Sequence, residues 1–216
     1  MGLFNKKEDK KIKYVSKYAK IFLKTMKEIG REDNETMHET FKIRYTNHLN
    51  SKEFIEFSKY KTISLEKVYC AITFAQILTE AGYSLDGAQE IWEKVLIKEL
   101  KKKINNILKF IDNLPCCYKI VSGLLYKDAK ERIAENCLTY EFLEYNKDKL
   151  EYKISRCAYV EIFEYYGIRQ FCKVFCNNDL CMNTLYKRAK FIRHSDLVDG
   201  EYCHDEIIKI KRGKRL

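Results

Sequence analysis

The sequence predicts an α+β protein in which a helical N-terminal half is followed by a small antiparallel sheet of β-β-α-α-β-β order with two inserted helices. Three observations lead there. Apolar residues recur at three and four through the front of the chain, the period switches to two at Leu138 and again near Ala189, and polar turn sequences separate the alternating runs. With 46% hydrophobic residues, 13% aromatics, one proline and eight glycines, the 216-residue chain suits a single compact body with a real core. Residues 1–60 read as an N-terminal helical extension and residues 61–216 as the α+β domain.

The first helix is written from Ile12 to Ile29, where Val15, Tyr18, Ala19, Phe22, Met26 and Ile29 form one stripe that Gly30 ends. A weaker stretch follows, with Phe41, Tyr45, Phe54 and Phe57 as packing aromatics and with His38 and His48 as structural or solvated residues. Ser64 caps a helix whose run VYCAITFAQIL is apolar nearly all round, the mark of a buried central helix, and Gly82 ends it. Ser84 caps the next, which carries Leu85, Ala88, Ile91, Trp92 and Val95 and continues its period through Leu100, Ile104, Ile107, Leu108 and Ile111 until Pro115. The vicinal Cys116-Cys117 pair reads as small apolar residues, and residues 119–136 lean helical. Leu138, Tyr140 and Phe142, then Leu150, Tyr152 and Ile154, alternate about the turn Asn146-Lys147-Asp148-Lys149 as a hairpin. Two helices precede a second hairpin, Ala189–Ser195 and Tyr202–Ile210, with Asp199-Gly200 as its turn.

The formal charge of +10 sits largely in Lys6, Lys7, Lys10, Lys11 and Lys13, in Lys98–Lys103, and in Lys209, Lys211, Arg212, Lys214 and Arg215. No nucleic-acid motif accompanies it, so a solvated lysine surface is expected and no nucleic-acid partner. Nine cysteines without a signal peptide or a bilayer-length apolar run indicate a reducing cytoplasmic setting and no membrane partner. Gly2 lacks the serine or threonine that myristoylation wants at the sixth position.

The chemistry concentrates in YKISRCAYVEIFEYYG, residues 152–167, where a strand runs directly into a helix with Cys157 at the junction. Backbone N–H groups and the helix dipole stabilise a thiolate there, and Arg156 adds a cation, so the thiol is expected below its ordinary pKa. Tyr159, Ile162, Phe163 and Tyr166 share an apolar stripe, leaving Cys157, Glu161 and Glu164 on the other side of the helix, which either meets solvent or lines a cleft. The following helix carries Ile168, Phe171, Cys172, Phe175, Met182 and Tyr186, with Cys176 at the edge of that face. Asp179 falls in the middle of it, unless a break at Asn177-Asn178 turns it outward. Cys172, Cys176 and Cys181 lack the paired CxxC spacing of a zinc site, so no metal and no cofactor are expected. In the last hairpin, which also holds Arg193, His194 and Asp196, alternation puts Cys203 and Asp205 on one side and His204 on the other.

The pattern Arg156-Cys157, Glu161, Gly167, Cys176, Asp179, Arg193, Gly200 and Cys203-His204 resembles the L-2-amino-thiazoline-4-carboxylic acid hydrolase family. The resemblance runs, more weakly, back to TEAGYSLDGAQEIW and covers roughly residues 64–210. It departs at the end, where Asp205-Glu206-Ile207 follows Cys203-His204 and an aromatic is commoner. It implies a small-molecule substrate, a cyclic amidine whose ring carbon between sulfur and nitrogen takes up water to release an N-carbamoyl-cysteine. On that implication Cys157 attacks, and Glu161 or Asp179 moves protons. Arg156 or Arg193 holds a carboxylate, Cys176 and Cys203 line the pocket, and His204 is a further candidate base. Two other readings stay open: a non-catalytic small-molecule-binding domain of vinyl-reductase type, and a cysteine-dependent acyl- or amidine-transfer enzyme of sulfur-metabolite biosynthesis. An enzyme is expected to show one cysteine alkylated far faster than the rest near neutral pH, and a binding module uniformly slow thiols.

Overall fold

A computed structural model of the chain describes residues 2–103, 106–177 and 186–210, and these fall into two units, residues 1–95 and 96–216. In the first unit α1 (Gly2–Glu28), α2 (Asn34–Leu49), α3 (Lys52–Phe57), α4 (Leu65–Glu80) and the start of α5 (Leu85–Lys103) assemble. Helix α1 begins well before its apolar period does, so the lysine-rich opening of the chain is helix rather than a tail. Lysine and glutamate are good helix formers, and a helix that carries no apolar stripe over its first turns leaves no periodic signal.

Helix α4 is buried along most of its length, as its all-round apolar run requires. Phe22 and Phe41 stack at 4.6 Å, Phe74 meets Phe22 edge-on at 5.4 Å, and Trp92 packs 4.8 Å from Phe74. These rings, with Met26, Leu49, Ile72 and Leu78, form the first core. The Ser84 hydroxyl caps α5 by accepting from Gly87 N–H at 3.0 Å. Ser64 stands at the start of α4 but makes no side-chain cap, and its carbonyl serves Lys67 and Val68 instead. His48 hydrogen-bonds Gln76 at 3.0 Å, and His38 lines a cavity of ≈ 470 Å³ between α1 and α2.

The second unit carries α6 (Asn106–Asn113), α7 (Cys117–Ala134) and a four-stranded antiparallel sheet. The strands are β1 (Leu138–Tyr145), β2 (Lys149–Cys157), β3 (Ala189–Ser195) and β4 (Cys203–Lys209), in the order β1-β2-β4-β3. Between β2 and β3 come α8 (Ala158–Tyr165), a 3₁₀ turn over Arg169–Cys172 and a helical stretch over residues 173–177. The single regular helix expected from Ile168 to Tyr186 is therefore broken at its start, and Asp179, Cys181 and Met182 lie outside the described residues.

The register pairs Leu150 with Ile207, Tyr152 with Asp205 and Ile154 with Cys203, so all six share one face, against which Cys117, Tyr118 and Val121 of α7 build the second core. Cys117 is wholly buried there and Cys116 is exposed, which makes Cys117 a small apolar residue of the core. The opposite face is polar: Lys149 lies between Glu151 and Glu206, and the tilted rings of His204 and His194 lie 4.7 Å apart.

The first hairpin turns where the sequence places it, because the Asn146 carboxamide accepts from the N–H groups of Asp148 (2.8 Å) and Lys149 (2.9 Å). The second connection is longer than the expected two-residue turn. Its organiser is Asp196, whose carboxylate accepts from Val198 and Asp199, both at 2.9 Å, and whose carbonyl accepts from Gly200 at 3.0 Å. A Cβ on Gly200 would come within 3.1 Å of that carbonyl, a tight contact that glycine avoids.

Candidate functional site

Strand β2 ends in extended backbone at Cys157, which is also the N-cap of α8. The helix turns back at Gly167, whose φ of 70° lets Ile168 N–H reach the Phe163 carbonyl at 3.0 Å. The junction is pinned by Ala158 N–H donating to the Cys137 carbonyl at 2.8 Å and by the pairing of Leu138 with Cys157. The strand-to-helix geometry read from the sequence is thus present.

Its expected electrostatic consequence is not. The N–H groups of Val160 and Tyr159 pull the Cys157 thiol down without closing a cap hydrogen bond, and Arg132 pulls in the same direction. Burial outweighs them. The residue as a whole is half-buried, but its sulfur is enclosed, and the thiol is pushed up to about 12, with Cys176 adding to the rise. Cys157 is a neutral thiol at neutral pH, which corrects the acidic thiol expected from the helix start.

Arg156 does not supply the cation. Alternation turns it away from Cys157, and its Nε and Nη2 donate to the two Glu161 carboxylate oxygens at 2.6 and 2.9 Å while Nη1 donates to the Asn136 carbonyl at 2.7 Å. Glu161 is accordingly occupied by Arg156.

Cys157 interacts with Cys172 and Cys176, and Cys203 joins the group through Cys176. Cys172 is fully buried and hydrogen-bonds Cys176, which together with burial raises its thiol well above the ordinary value. Cys203 is raised first by burial and then by Asp205, to whose Oδ2 its thiol donates at 3.3 Å. Cys176 interacts with all three of the others and so sits at the middle of the group. The Arg193 guanidinium grips Asp205 through Nε at 2.8 Å and Nη2 at 2.9 Å, and its Nη1 donates to the Cys176 carbonyl at 2.9 Å, tying the helical stretch that carries Cys176 to the sheet. That ion pair is nearly dry, with side-chain exposures of 11% and 2%.

Of the residues singled out by sequence, Cys157, Cys176, Cys203 and Arg193 come together. Arg156 and Glu161 pair with each other instead, and His204 is on the polar face with Glu151 at 2.8 Å. Asp179 lies outside the described residues. Sequence reasoning gave no role in the site to Cys172, Asp205 or Arg132. Asp205 had a signal, since it shares a strand face with Cys203 and Ile207 where an acid needs a buried partner. Cys172 had its place on the apolar face, and Arg132 had no local signal.

Among the described residues no group of three or more His, Cys, Asp or Glu side chains is placed to hold a metal ion, and no helix is long and apolar enough to cross a membrane. No curated protein matches the chain. Among solved structures, an Fe(II) unliganded H-NOX protein from K. algicida aligns with 10% identity and a TM-score of 0.32, over 70% of this chain and 75% of that one. The family model described as L-2-amino-thiazoline-4-carboxylic acid hydrolase matches residues 65–205, a segment that holds every member of the thiol group and ends on Asp205. Because that match spans well over half of the chain, the protein belongs to the L-2-amino-thiazoline-4-carboxylic acid hydrolase family, whose name is that of a hydrolase.

Proposed function

We propose that the protein opens a cyclic amidine carboxylate of the 2-amino-thiazoline-4-carboxylate type, with Cys157 as the nucleophile. The observation that carries this reading is the seat of Cys157: an enclosed sulfur at the N-cap of α8, faced by the N–H groups of Tyr159 and Val160, inside the segment that the family match covers. Those N–H groups are placed to receive negative charge on sulfur when it forms.

A neutral thiol and a basic substrate complement each other. The Cys157 proton passes to the amidine nitrogen, which makes the ring carbon electrophilic as sulfur attacks it. The bond from that carbon to the ring sulfur then breaks, and the ring sulfur leaves as a thiol after protonation. The carbon remains on Cys157 as an isothiouronium. Water adds to it, the bond to Cys157 breaks, the sulfur regains a proton, and an N-carbamoyl-cysteine is released. Cys176 and Cys203 shape the wall around the sulfur, and the Arg193–Asp205 pair holds that wall in register. With Glu161 committed to Arg156, Asp179 is the carboxylate left to move protons in this scheme.

Cys157→Ser and Cys157→Ala should abolish release of thiol from 2-amino-thiazoline-4-carboxylate while leaving the circular dichroism spectrum unchanged. Full turnover by either variant ends the nucleophile role.

A further inference from the structure

A substrate of this type carries a carboxylate close to the ring carbon that is attacked, and a guanidinium is the group best shaped to grip it by two parallel hydrogen bonds. Three arginines near the Cys157 junction already have every guanidinium nitrogen engaged in a hydrogen bond. Arg156 spends its three on Glu161 and Asn136, and Arg193 spends its three on Asp205 and Cys176. Arg169 gives Nη1 to Glu164, Nη2 to the Leu197 carbonyl and Nε to the Val198 carbonyl.

Arg132 differs. Its Nε donates to Asp128 at 2.6 Å one turn back along α7, and among the described residues neither Nη group has a hydrogen-bond acceptor. The side chain is 20% exposed, open enough to be reached and enclosed enough for a charged contact to count. It is also fastened to the thiol. The Arg132 carbonyl accepts from Cys137 N–H at 3.1 Å, the Cys137 carbonyl accepts from Ala158 N–H at 2.8 Å, and Ala158 is the neighbour of Cys157. The charge of Arg132 reaches the Cys157 sulfur as well as Tyr159 and Tyr140. It is a cation beside the nucleophile with donors to spare.

We infer that Arg132 anchors the carboxylate of the substrate through its two Nη groups and so sets the preference of this protein for anionic over uncharged cyclic amidines. The inference rests on the hydrolase reading for its substrate class but not for its test. Two compounds separate them: 2-amino-thiazoline-4-carboxylate and 2-amino-thiazoline, which lacks the carboxylate. Arg132→Gln should lower kcat/KM on the first about 10- to 100-fold more than on the second, the worth of a charged hydrogen-bonded contact, because the accompanying change at the Cys157 thiol is common to both compounds. Arg132→Lys should recover part of the loss. Continued turnover of 2-amino-thiazoline by Arg132→Gln shows that the variant is folded.

Calorimetric affinities on the Cys157→Ser protein make the anchor measurable without turnover. Should the native protein hydrolyse neither compound while Arg132→Gln still weakens binding of the carboxylated one alone, the hydrolase reading falls and the anchor stands. Equal losses on the two compounds, or no loss on either, in rate or in affinity, overturn the anchor and leave the hydrolase reading untouched.

Discussion

Alkylation of Cys157 by iodoacetamide tests the most consequential feature of the site. The thiol is pushed from its ordinary 9.0 to about 12, so at pH 7.5 its thiolate fraction is lower than that of an ordinary cysteine by about a thousandfold. A more basic thiolate is a better nucleophile, with a Brønsted slope near 0.45, which returns a factor of about 20 over that interval. The net expectation is alkylation roughly 50-fold slower than at an unperturbed thiol, before any steric shielding, so the fast-alkylating cysteine expected of an enzyme from the sequence is replaced by a slow one whose thiol needs a basic substrate to ionise it. Exposed Cys116 is the internal reference, and mass spectrometry of peptides after timed exposure gives both rates in one sample. The rate at Cys157 should climb about tenfold per pH unit, with no plateau below pH 10. A Cys157 rate equal to or above that of Cys116 at pH 7.5 would refute the desolvation argument and restore the acidic thiol that the helix start alone suggests.

Two further outcomes follow from the same electrostatics. Cys157, Cys172 and Cys203 all have thiols raised in the folded state; the unfolded chain therefore loses those protons first as pH rises. Their contribution to stability should be intact below about pH 9 and fall away between pH 9 and 12, read as a declining melting temperature that flattens when the three are replaced by alanine. The two arginine–carboxylate forks separate by burial instead. Asp205→Asn strands Arg193 in a dry site (side chains 11% and 2% exposed) and should cost about 3–5 kcal/mol in urea unfolding, whereas Glu161→Gln, at a pair 34% and 38% exposed, should cost about 1 kcal/mol or less. Similar costs for the two would mean that solvent reaches both.

Local patterns were legible in the sequence where one element decides its own shape. Alternation in Leu150, Tyr152 and Ile154 fixes which face of β2 is buried, and Asn146 writes its turn through its own side chain. The strand-to-helix junction at Cys157 was legible for the same reason. What the sequence hid is relational. Which cation lies near the sulfur depends on where α7 ends, a tertiary matter that no spacing encodes, so adjacent Arg156 was the natural choice and distant Arg132 the actual neighbour. Asp199-Gly200 has the right turn chemistry, yet Asp196 captures two N–H groups first and lengthens the connection.

The sign of the Cys157 shift is a matter of magnitudes. A helix start contributes about 0.3–1 kcal/mol towards a charge, rising to about 2 in enclosed sites, while a rise of the thiol from 9.0 to about 12 corresponds to a net penalty of roughly 4 kcal/mol against the thiolate. The dipole is therefore the smaller effect in the resting protein. On the proposed hydrolase reading its role changes once a basic substrate fills the site, because the proton that burial keeps on sulfur is then next to a base. An amide or ester carbonyl is too weakly basic to take it, and the thiol would stay inert. A cyclic amidine is basic enough, and in taking the proton it becomes the electrophile that the new thiolate needs. On that reading burial of Cys157 selects for basic substrates, and the N–H groups of α8 act on the charge only after it has been made.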